Sequence, residues 1–119
     1  MTTLESAYKA KDAMVEKKAT DMLLIDIAKI TEIAEYFMLC SARNRAQAQA
    51  IADEIMEKLE AEDIRPLRKE GYENGGWILL DYGSLIIHIF QPEEKEYYKL
   101  ERLWSDGVFT HFDEEGQPK

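Results

Sequence analysis

Two apolar runs separated by only two residues constrain the fold of this chain more than any other feature. The first run covers 77–82 and the second covers 85–91, with Gly83 and Ser84 between them. Glycine at the first position of a two-residue turn suits a type II′ β-hairpin, because that position requires a positive φ. The sequence therefore predicts two adjacent antiparallel strands with a defined register.

The predicted register sorts the hairpin side chains into two faces, because side chains alternate along a strand. One face is almost wholly apolar and is expected to meet the core: Ile78, Leu80, Tyr82, Leu85, Ile87 and Ile89. The other face combines apolar groups with a carboxylate and an imidazole: Trp77, Leu79, Asp81, Ile86, His88 and Phe90. If no helix covers this second face, it is an exposed patch of the kind that marks interaction sites. If helices cover both faces, it belongs to the core.

The preceding sequence predicts further strands and helices around the hairpin. Short apolar runs over 21–27 and 36–41 are typical of strands buried on both faces. Apolar residues at helical spacing predict helices over 2–18 and 44–61, with Thr2 and Asn44 as the capping residues. A short extended piece is expected at 66–68, since proline suits the start of an edge strand.

The sequence after the hairpin predicts one more helix and a tail. Pro92 can occupy the first position of the helix, which carries Leu100 and Trp104. Beyond Trp104 the chain turns polar, which predicts a loosely packed tail over 106–119. The whole pattern indicates an α/β fold: a single domain over 1–105 with a mixed β-sheet of about five strands flanked by helices. The helix between the second and third strands permits those two strands to run parallel.

Charge and residue usage restrict the function. The 15 Lys and Arg residues against 24 Asp and Glu residues give a net charge of −9, which argues against a general or sequence-specific nucleic-acid binder and favours basic partners. The sequence has no glycine-rich phosphate loop, and His88 and His111 lack partners at metal-ligand spacing. Cys40 lies in the middle of a strand, as a structural thiol does. We therefore expect no catalytic residue, no cofactor and no metal.

The same features bear on where the protein works. No apolar run approaches the roughly 18 residues of a membrane span, and charges interrupt the start of the chain where a signal peptide would be apolar. We therefore expect no membrane partner and a cytoplasmic protein.

Several short strings in a fixed order resemble the ribosomal silencing factor family, which is also called the Iojap family. The strongest match is Pro-Leu-Arg-Lys-Glu-Gly-Tyr at 66–72, followed by Trp-Ile-Leu-Leu-Asp-Tyr-Gly at 77–83 and Ile-His-Ile-Phe at 87–90. Further matching strings lie at 17–19, 24–26, 33–37, 51–53, 93–94, 97–98, 100–101 and 103–104. The resemblance covers about residues 4–105.

The resemblance implies both a fold and a function. The implied fold is a small α/β domain that is nucleotidyltransferase-like without the catalytic pattern, and so is not an enzyme. The implied function is binding to the large ribosomal subunit, through its protein number fourteen, at the face where the small subunit joins. This binding blocks subunit association and represses translation under nutrient limitation. Several members form homodimers, so a homodimer of the free protein is also expected.

With this resemblance, the second hairpin face becomes the expected partner-binding surface, and the segment 70–72 becomes its rim. The candidate residues are Glu70, Gly71, Tyr72, Trp77, Leu79, Asp81, Tyr82, His88, Phe90 and Glu94. Two alternatives remain open at this point. The chain could be an assembly factor of the large subunit that uses the same surface, or a diverged nucleotidyltransferase.

Overall fold

The two long helices and the buried strands form where the apolar pattern of the sequence repeats at the matching spacing. The computed structural model of the protein describes residues 1–91 and 96–119. The described helices are α1 (Thr3–Glu16), α2 (Arg45–Glu60) and α3 (Glu96–Leu103). The described strands are β1 (Thr20–Asp26), β2 (Tyr36–Ser41), β3 (Arg68–Glu70), β4 (Trp77–Asp81), β5 (Leu85–Phe90) and β6 (Val108–His111).

The strands form one mixed sheet in the order β3-β4-β5-β2-β1-β6. The central neighbours β2 and β5 are parallel, and the other neighbouring pairs are antiparallel. It follows that β2 and β3, which α2 connects, run in the same direction, although β5 and β4 lie between them. The predicted α/β fold with a mixed sheet is confirmed, with six strands where about five were expected.

The hairpin has the register that the sequence predicts. Trp77 lies opposite Phe90, and Asp81 lies opposite Ile86. Gly83 has a φ of 84°, in the left-handed region that glycine reaches without a steric penalty. This agreement also fixes the two faces of β4 and β5, because a slip of one residue would exchange them.

The two long helices begin at the predicted caps. The Thr2 hydroxyl accepts a hydrogen bond from the Glu5 amide at 3.1 Å, and the Glu5 carboxylate accepts one from the Thr2 amide at 2.7 Å. The Asn44 side chain accepts a hydrogen bond from the Gln47 amide at 2.8 Å. These bonds satisfy first-turn amides that have no partner within their own helix.

The helices cover the two faces of the sheet unequally. We call the side covered by α1 and α2 the α1/α2 face, and its core includes the following buried residues: Ala10, Met14, Met38, Ile51, Ile55, Ile78, Leu80, Ile87 and Ile89. We call the other side the α3 face, and its buried residues are Leu23, Ile25, Ile27, Ala34, Phe37, Leu39 and Phe90. Leu100 of α3 and the following Trp104 pack against this second cluster. Helices therefore cover the middle of the sheet on both sides.

The segment after Ser105 differs from its prediction as a loosely packed tail. Strand β6 pairs with β1 along the edge of the sheet, with Phe109 opposite Ile25. Phe112 is buried in the α1/α2 core, and the Lys119 amide donates to the His111 carbonyl at 2.8 Å. The sequence prediction was wrong because strand pairing with a distant part of the chain, and not local apolar content, orders this segment.

None of the described helices has the length and apolar character that crossing a membrane requires.

Truncation of Phe112 tests whether the C-terminal segment belongs to the fold. The Phe112 ring meets the Tyr8 ring edge-on at 5.8 Å between centroids, and only 3% of Phe112 is exposed. We expect Phe112→Ala to lower the free energy of unfolding by about 3–5 kcal/mol, measured by urea denaturation. The control is Val108→Ala in the same segment, which should stay within about 0.5 kcal/mol because Val108 is exposed. If both variants lowered the free energy of unfolding by the same small amount, the segment would be a loosely packed tail after all.

Candidate partner-binding site

Within the described residues, Leu100 and Trp104 pack on the middle of the α3 face, whereas strand β3 at the edge of the sheet is exposed. Arg68 and Glu70 of β3 lie opposite Asp81 and Leu79 of β4, which places these side chains on the same face. We call this partly open surface the docking face, and its residues are Arg68, Glu70, Trp77, Leu79, Asp81 and Ile86. The two β3 residues are exposed and the four hairpin residues are half-buried.

A cluster of aromatic rings adjoins the docking face on the neighbouring strands and orients Trp77. The indole stacks on Phe90 at 5.2 Å between ring centroids, and its Nε1 donates a hydrogen bond to His88 Nδ1 at 3.1 Å. Phe37 meets His88 at 5.1 Å and Trp104 at 5.4 Å, both edge-on. Because these contacts hold the indole in one orientation, Trp77 presents a preformed apolar surface.

His88 is a neutral buried group. Burial lowers its pKa to about 4. Since Nδ1 accepts the indole hydrogen bond, the neutral ring carries its proton on Nε2. Nε2 has no hydrogen-bond partner within the described part of the chain. Both His88 and Phe90 lie under the surface, so they support Trp77 instead of extending from the docking face.

The Asp81 carboxylate is occupied by contacts within the chain. Its Oδ1 accepts a hydrogen bond from the Gly83 amide at 2.8 Å, which closes the hairpin turn. Its Oδ2 pairs with Arg68 Nη2 at 3.1 Å across the two edge strands. Asp81 therefore organises the edge of the docking face, while the exposed Arg68 and Glu70 are its outer polar groups.

Three other candidates from the sequence have different surroundings. The Tyr72 hydroxyl donates to Asp53 of α2 at 2.9 Å, and Tyr72 packs against the α1/α2 core, away from the docking face. Tyr82 packs against that core as well, and burial raises its pKa to about 12. Gly71 has a φ of 75°, and a Cβ there would come within 2.0 Å of the Trp77 carbonyl oxygen. Gly71 is thus a requirement of the turn.

The structure therefore brings together four of the ten candidates on the docking face, Glu70, Trp77, Leu79 and Asp81, with the buried His88 and Phe90 beside them on β5. Glu94 lies outside the described residues. The sequence analysis missed Arg68, which pairs with Asp81. Its position opposite Asp81 follows from the register of β3, and a three-residue strand gives too little pattern to predict that register.

Groups typical of metal or thiol chemistry are not assembled in the part of the chain that the structure describes. No cluster of three or more His, Cys, Asp or Glu side chains there could hold a metal ion. Cys40 is fully buried on the α1/α2 face, and burial raises the pKa of its thiol. This agrees with the structural role predicted for Cys40.

The fold and the docking face define a small α/β domain with a preformed aromatic surface at one edge of its sheet. The family model described as "Ribosomal silencing factor during starvation" matches residues 1–119. The chain belongs to the family of ribosomal silencing factors.

Individual relatives agree with this assignment. The chain is 36% identical over 104 residues to a ribosomal silencing factor from Bacillus subtilis. The aligned residues are 87% of this chain and 88% of that protein. A crystal structure of a protein from Chromobacterium violaceum superposes with a TM-score of 0.83 at 28% identity, covering 88% of each chain. A mouse relative named "Mitochondrial assembly of ribosomal large subunit protein 1" is 26% identical over 93 residues, which are 76% of this chain and 41% of that protein.

The buried imidazole makes stability depend on pH. The pKa of His88 is about 4 in the folded protein and 6.5 in an exposed peptide, so the unfolded chain binds more protons between these values. The free energy of unfolding should therefore decrease as the pH falls from 6.5 to 4, with about 3 kcal/mol lost from this group alone. Urea denaturation across this window measures the loss.

The matched variant for this test is His88→Gln, whose side-chain oxygen can still accept the Trp77 hydrogen bond but cannot be protonated. The slope of the unfolding free energy against pH gives the number of protons taken up on unfolding. Between the two pKa values, this number should be larger by about one in the wild type than in the variant. NMR titration of the folded protein gives an independent reading. An imidazole of His88 that titrates near its ordinary pKa of 6.5 would show that the site is solvated.

Proposed function

We propose that this protein acts in the cytoplasm as a ribosomal silencing factor. It binds the large ribosomal subunit through that subunit's protein number fourteen and prevents the small subunit from joining, so that translation is repressed when nutrients are short. The proposal is supported by the family to which the chain belongs and by a relative named ribosomal silencing factor. Its mechanism needs no chemical step, so the protein acts as a binding factor and not as an enzyme.

The observation that carries the proposal is the docking face. Trp77, Leu79 and Ile86 remain half-buried beside the fully buried Phe90. Removing their remaining apolar surface from water favours binding by roughly 25 cal/mol per Å², and tryptophan is frequent among the residues that dominate interface energies. Arg68 and Glu70 supply the polar rim that surrounds such an apolar centre.

Net charge supports the same kind of partner. The chain carries −9 at neutral pH, and ribosomal proteins are generally basic. Attraction between opposite net charges accelerates the diffusional encounter of two proteins and disfavours acidic competitors.

Steric blockade requires only the size and rigidity of the domain. Its principal dimensions are 35 × 33 × 27 Å, so a docked molecule projects well beyond the few ångströms across which side chains make contact. A small subunit cannot occupy the same volume. Inhibition of joining therefore needs neither nucleotide nor metal.

Assembly of the large subunit is the second candidate function, and the name of the mouse relative supports it. An assembly factor would use the docking face on an immature particle and leave when the particle matures. Binding that is stronger to precursor particles than to mature large subunits would favour assembly. The free protein is also proposed to form a homodimer, which its sedimentation behaviour tests directly.

Reversing the character of the docking face should weaken binding to the large subunit. We expect Leu79→Lys to raise the Kd at least about tenfold, measured by co-sedimentation with isolated large subunits, because it removes an apolar contact and opposes a basic partner. The fold should persist, because a half-buried lysine can extend its ammonium group into water. Leu4→Lys is the matched control, since Leu4 lies on α1 and is 39% exposed. Equal affinities for both variants would exclude the docking face as the binding site.

The blockade mechanism predicts the outcome of a subunit-joining experiment. The protein should prevent large and small subunits from associating, as followed by light scattering, and inhibition should saturate at a single copy per large subunit. Leu79→Lys should relieve inhibition in proportion to its loss of binding. Undiminished joining with saturated large subunits, or inhibition that requires added ATP or GTP, would contradict blockade.

A further inference from the structure

Four cationic residues lie at the same end of the sheet, where α1 ends and α2 begins. Lys17 and Lys18 follow α1, and Arg43 and Arg45 flank Asn44, which caps α2. All four cationic residues are exposed. We call them the basic cluster.

Strand pairing brings the two halves of the basic cluster together. Thr20 of β1 lies opposite Ser41 of β2 in an antiparallel pair. Lys18 precedes Thr20 by two residues and Arg43 follows Ser41 by two residues. In an antiparallel pair these positions approach each other across the ends of the strands.

A single glutamine side chain fastens the same arrangement. The Nε2 of Gln47 donates to the carbonyl oxygens of Lys17 and Lys18 at 3.0 and 2.9 Å. Its Oε1 accepts a hydrogen bond from the Arg43 amide at 2.6 Å. The backbone of the basic cluster is therefore organised before any partner arrives, which lowers the entropic cost of binding.

Within the part of the chain that the structure describes, the cations of the basic cluster have few ion-pair partners. Ion pairs engage several other cations of the chain: Lys9, Lys11, Lys58, Arg65 and Arg68. By contrast, Lys18, Arg43 and Arg45 form no ion pair with any described residue, and Lys17 reaches Glu54 only at 3.9 Å. The cluster is thus a local cationic surface on a chain whose net charge is −9.

Lys18 also has an unfavourable backbone conformation. Its φ is 62°, in the left-handed region where glycine commonly ends a helix and where a side chain adds strain. A lysine at this position retains a positive charge that the turn itself does not need. Glycine would suit the backbone better.

The basic cluster borders the docking face. The Arg45 side chain packs over Gly75, where an added Cβ would lie 2.4 Å from Arg45 Cγ. Gly75 precedes Trp77 by two residues, a distance of about 7 Å along an extended chain. A partner that binds over Trp77 can therefore also contact Arg45.

We propose that the basic cluster binds the phosphate backbone of ribosomal RNA beside the docking site on the large subunit. The proposal rests on the proposed function, since it takes the large subunit as the partner. Arginine pairs with phosphate oxygens in a bidentate manner, and backbone contacts require no particular base sequence. The protein would thus use the docking face for ribosomal protein and the basic cluster for RNA.

Charge removal tests the proposal on binding. The triple variant Lys18→Gly, Arg43→Gln, Arg45→Gln should bind large subunits about tenfold more weakly than wild type at moderate salt. The logarithm of the binding constant falls linearly with the logarithm of the salt concentration, and each phosphate contact adds about 0.7–0.9 to the steepness of that line. Loss of three contacts should therefore make the slope less negative by about 2 to 3. The control variant Lys9→Gln, Lys29→Gln, Arg65→Gln has the same net charge but keeps the basic cluster, and it should retain the wild-type slope.

Lys18→Gly separates binding from folding. We expect this single variant to melt at or above the wild-type temperature, because glycine relieves the left-handed strain, and still to bind large subunits more weakly. Weaker binding that accompanies a lower melting temperature would assign the effect to folding and count against the proposal.

Directed cleavage shows whether the neighbouring surface is RNA. Cys40 is buried, so a cysteine introduced at the exposed Ala46 can be labelled selectively with an iron chelate while all four cations remain. Hydroxyl radicals from this site should cleave ribosomal RNA in the bound large subunit. The same label at the exposed Ala28, beyond the other end of β1, should give much weaker cleavage.

The outcomes distinguish this proposal from the proposed function. If wild type binds large subunits but the triple variant matches its control and Ala46→Cys yields no RNA cleavage, the basic cluster faces protein or solvent and the proposal is wrong. If the wild type does not bind large subunits at all, the proposed function is wrong, and the proposed RNA contact is wrong as well because it depends on that binding.

Discussion

The parallel ladder between β2 and β5 is the constraint on which the rest of the structure depends. Both strands lie in the middle of the sheet, and most of their side chains are buried on both faces, so helices must cover both sides. Among the described residues, Leu100 and Trp104 pack against the buried cluster of the α3 face, while Trp77, Leu79 and Asp81 of β4 stay half-buried. The docking face is the part of the α3 face where these half-buried side chains adjoin the exposed strand β3.

The hydrogen bond from Trp77 to His88 connects the docking face to the core. Without it, the imidazole Nδ1 would be a buried acceptor with no partner, which is costly in a low-dielectric surrounding. The bond also requires a neutral ring, consistent with a pKa that burial lowers to about 4. Trp77 therefore contributes to stability as well as to the exposed surface. Leu79, which has no such buried partner, separates the two contributions.

The sequence predicted the local features well and the distant ones less well. The hairpin register and the caps at Thr2 and Asn44 follow from neighbouring residues, and all are confirmed. Strand β6 was missed because its order comes from pairing with β1 across most of the chain length. The surroundings of Tyr72 were also unpredictable, since its contact with Asp53 depends on how the loop after β3 folds back over α2. The alternation of side chains along a strand assigns a face only to residues of that strand, and Tyr72 lies in the loop between β3 and β4.

Charge is distributed in this chain in a way that net charge alone conceals. Twenty-four acidic residues against 15 basic ones would repel nucleic acid if they were evenly mixed. Salt bridges within and between helices, such as Lys58 with Glu16 and Glu54, neutralise cations elsewhere, while Lys18 and Arg43 form no ion pair with a residue that the structure describes. Screening confines their field to about 8–10 Å at physiological salt. Within that distance the local charge of the basic cluster, and not the net charge of −9, decides whether the surface attracts a phosphate group. An acidic chain can therefore carry an RNA-binding surface of the kind that we propose.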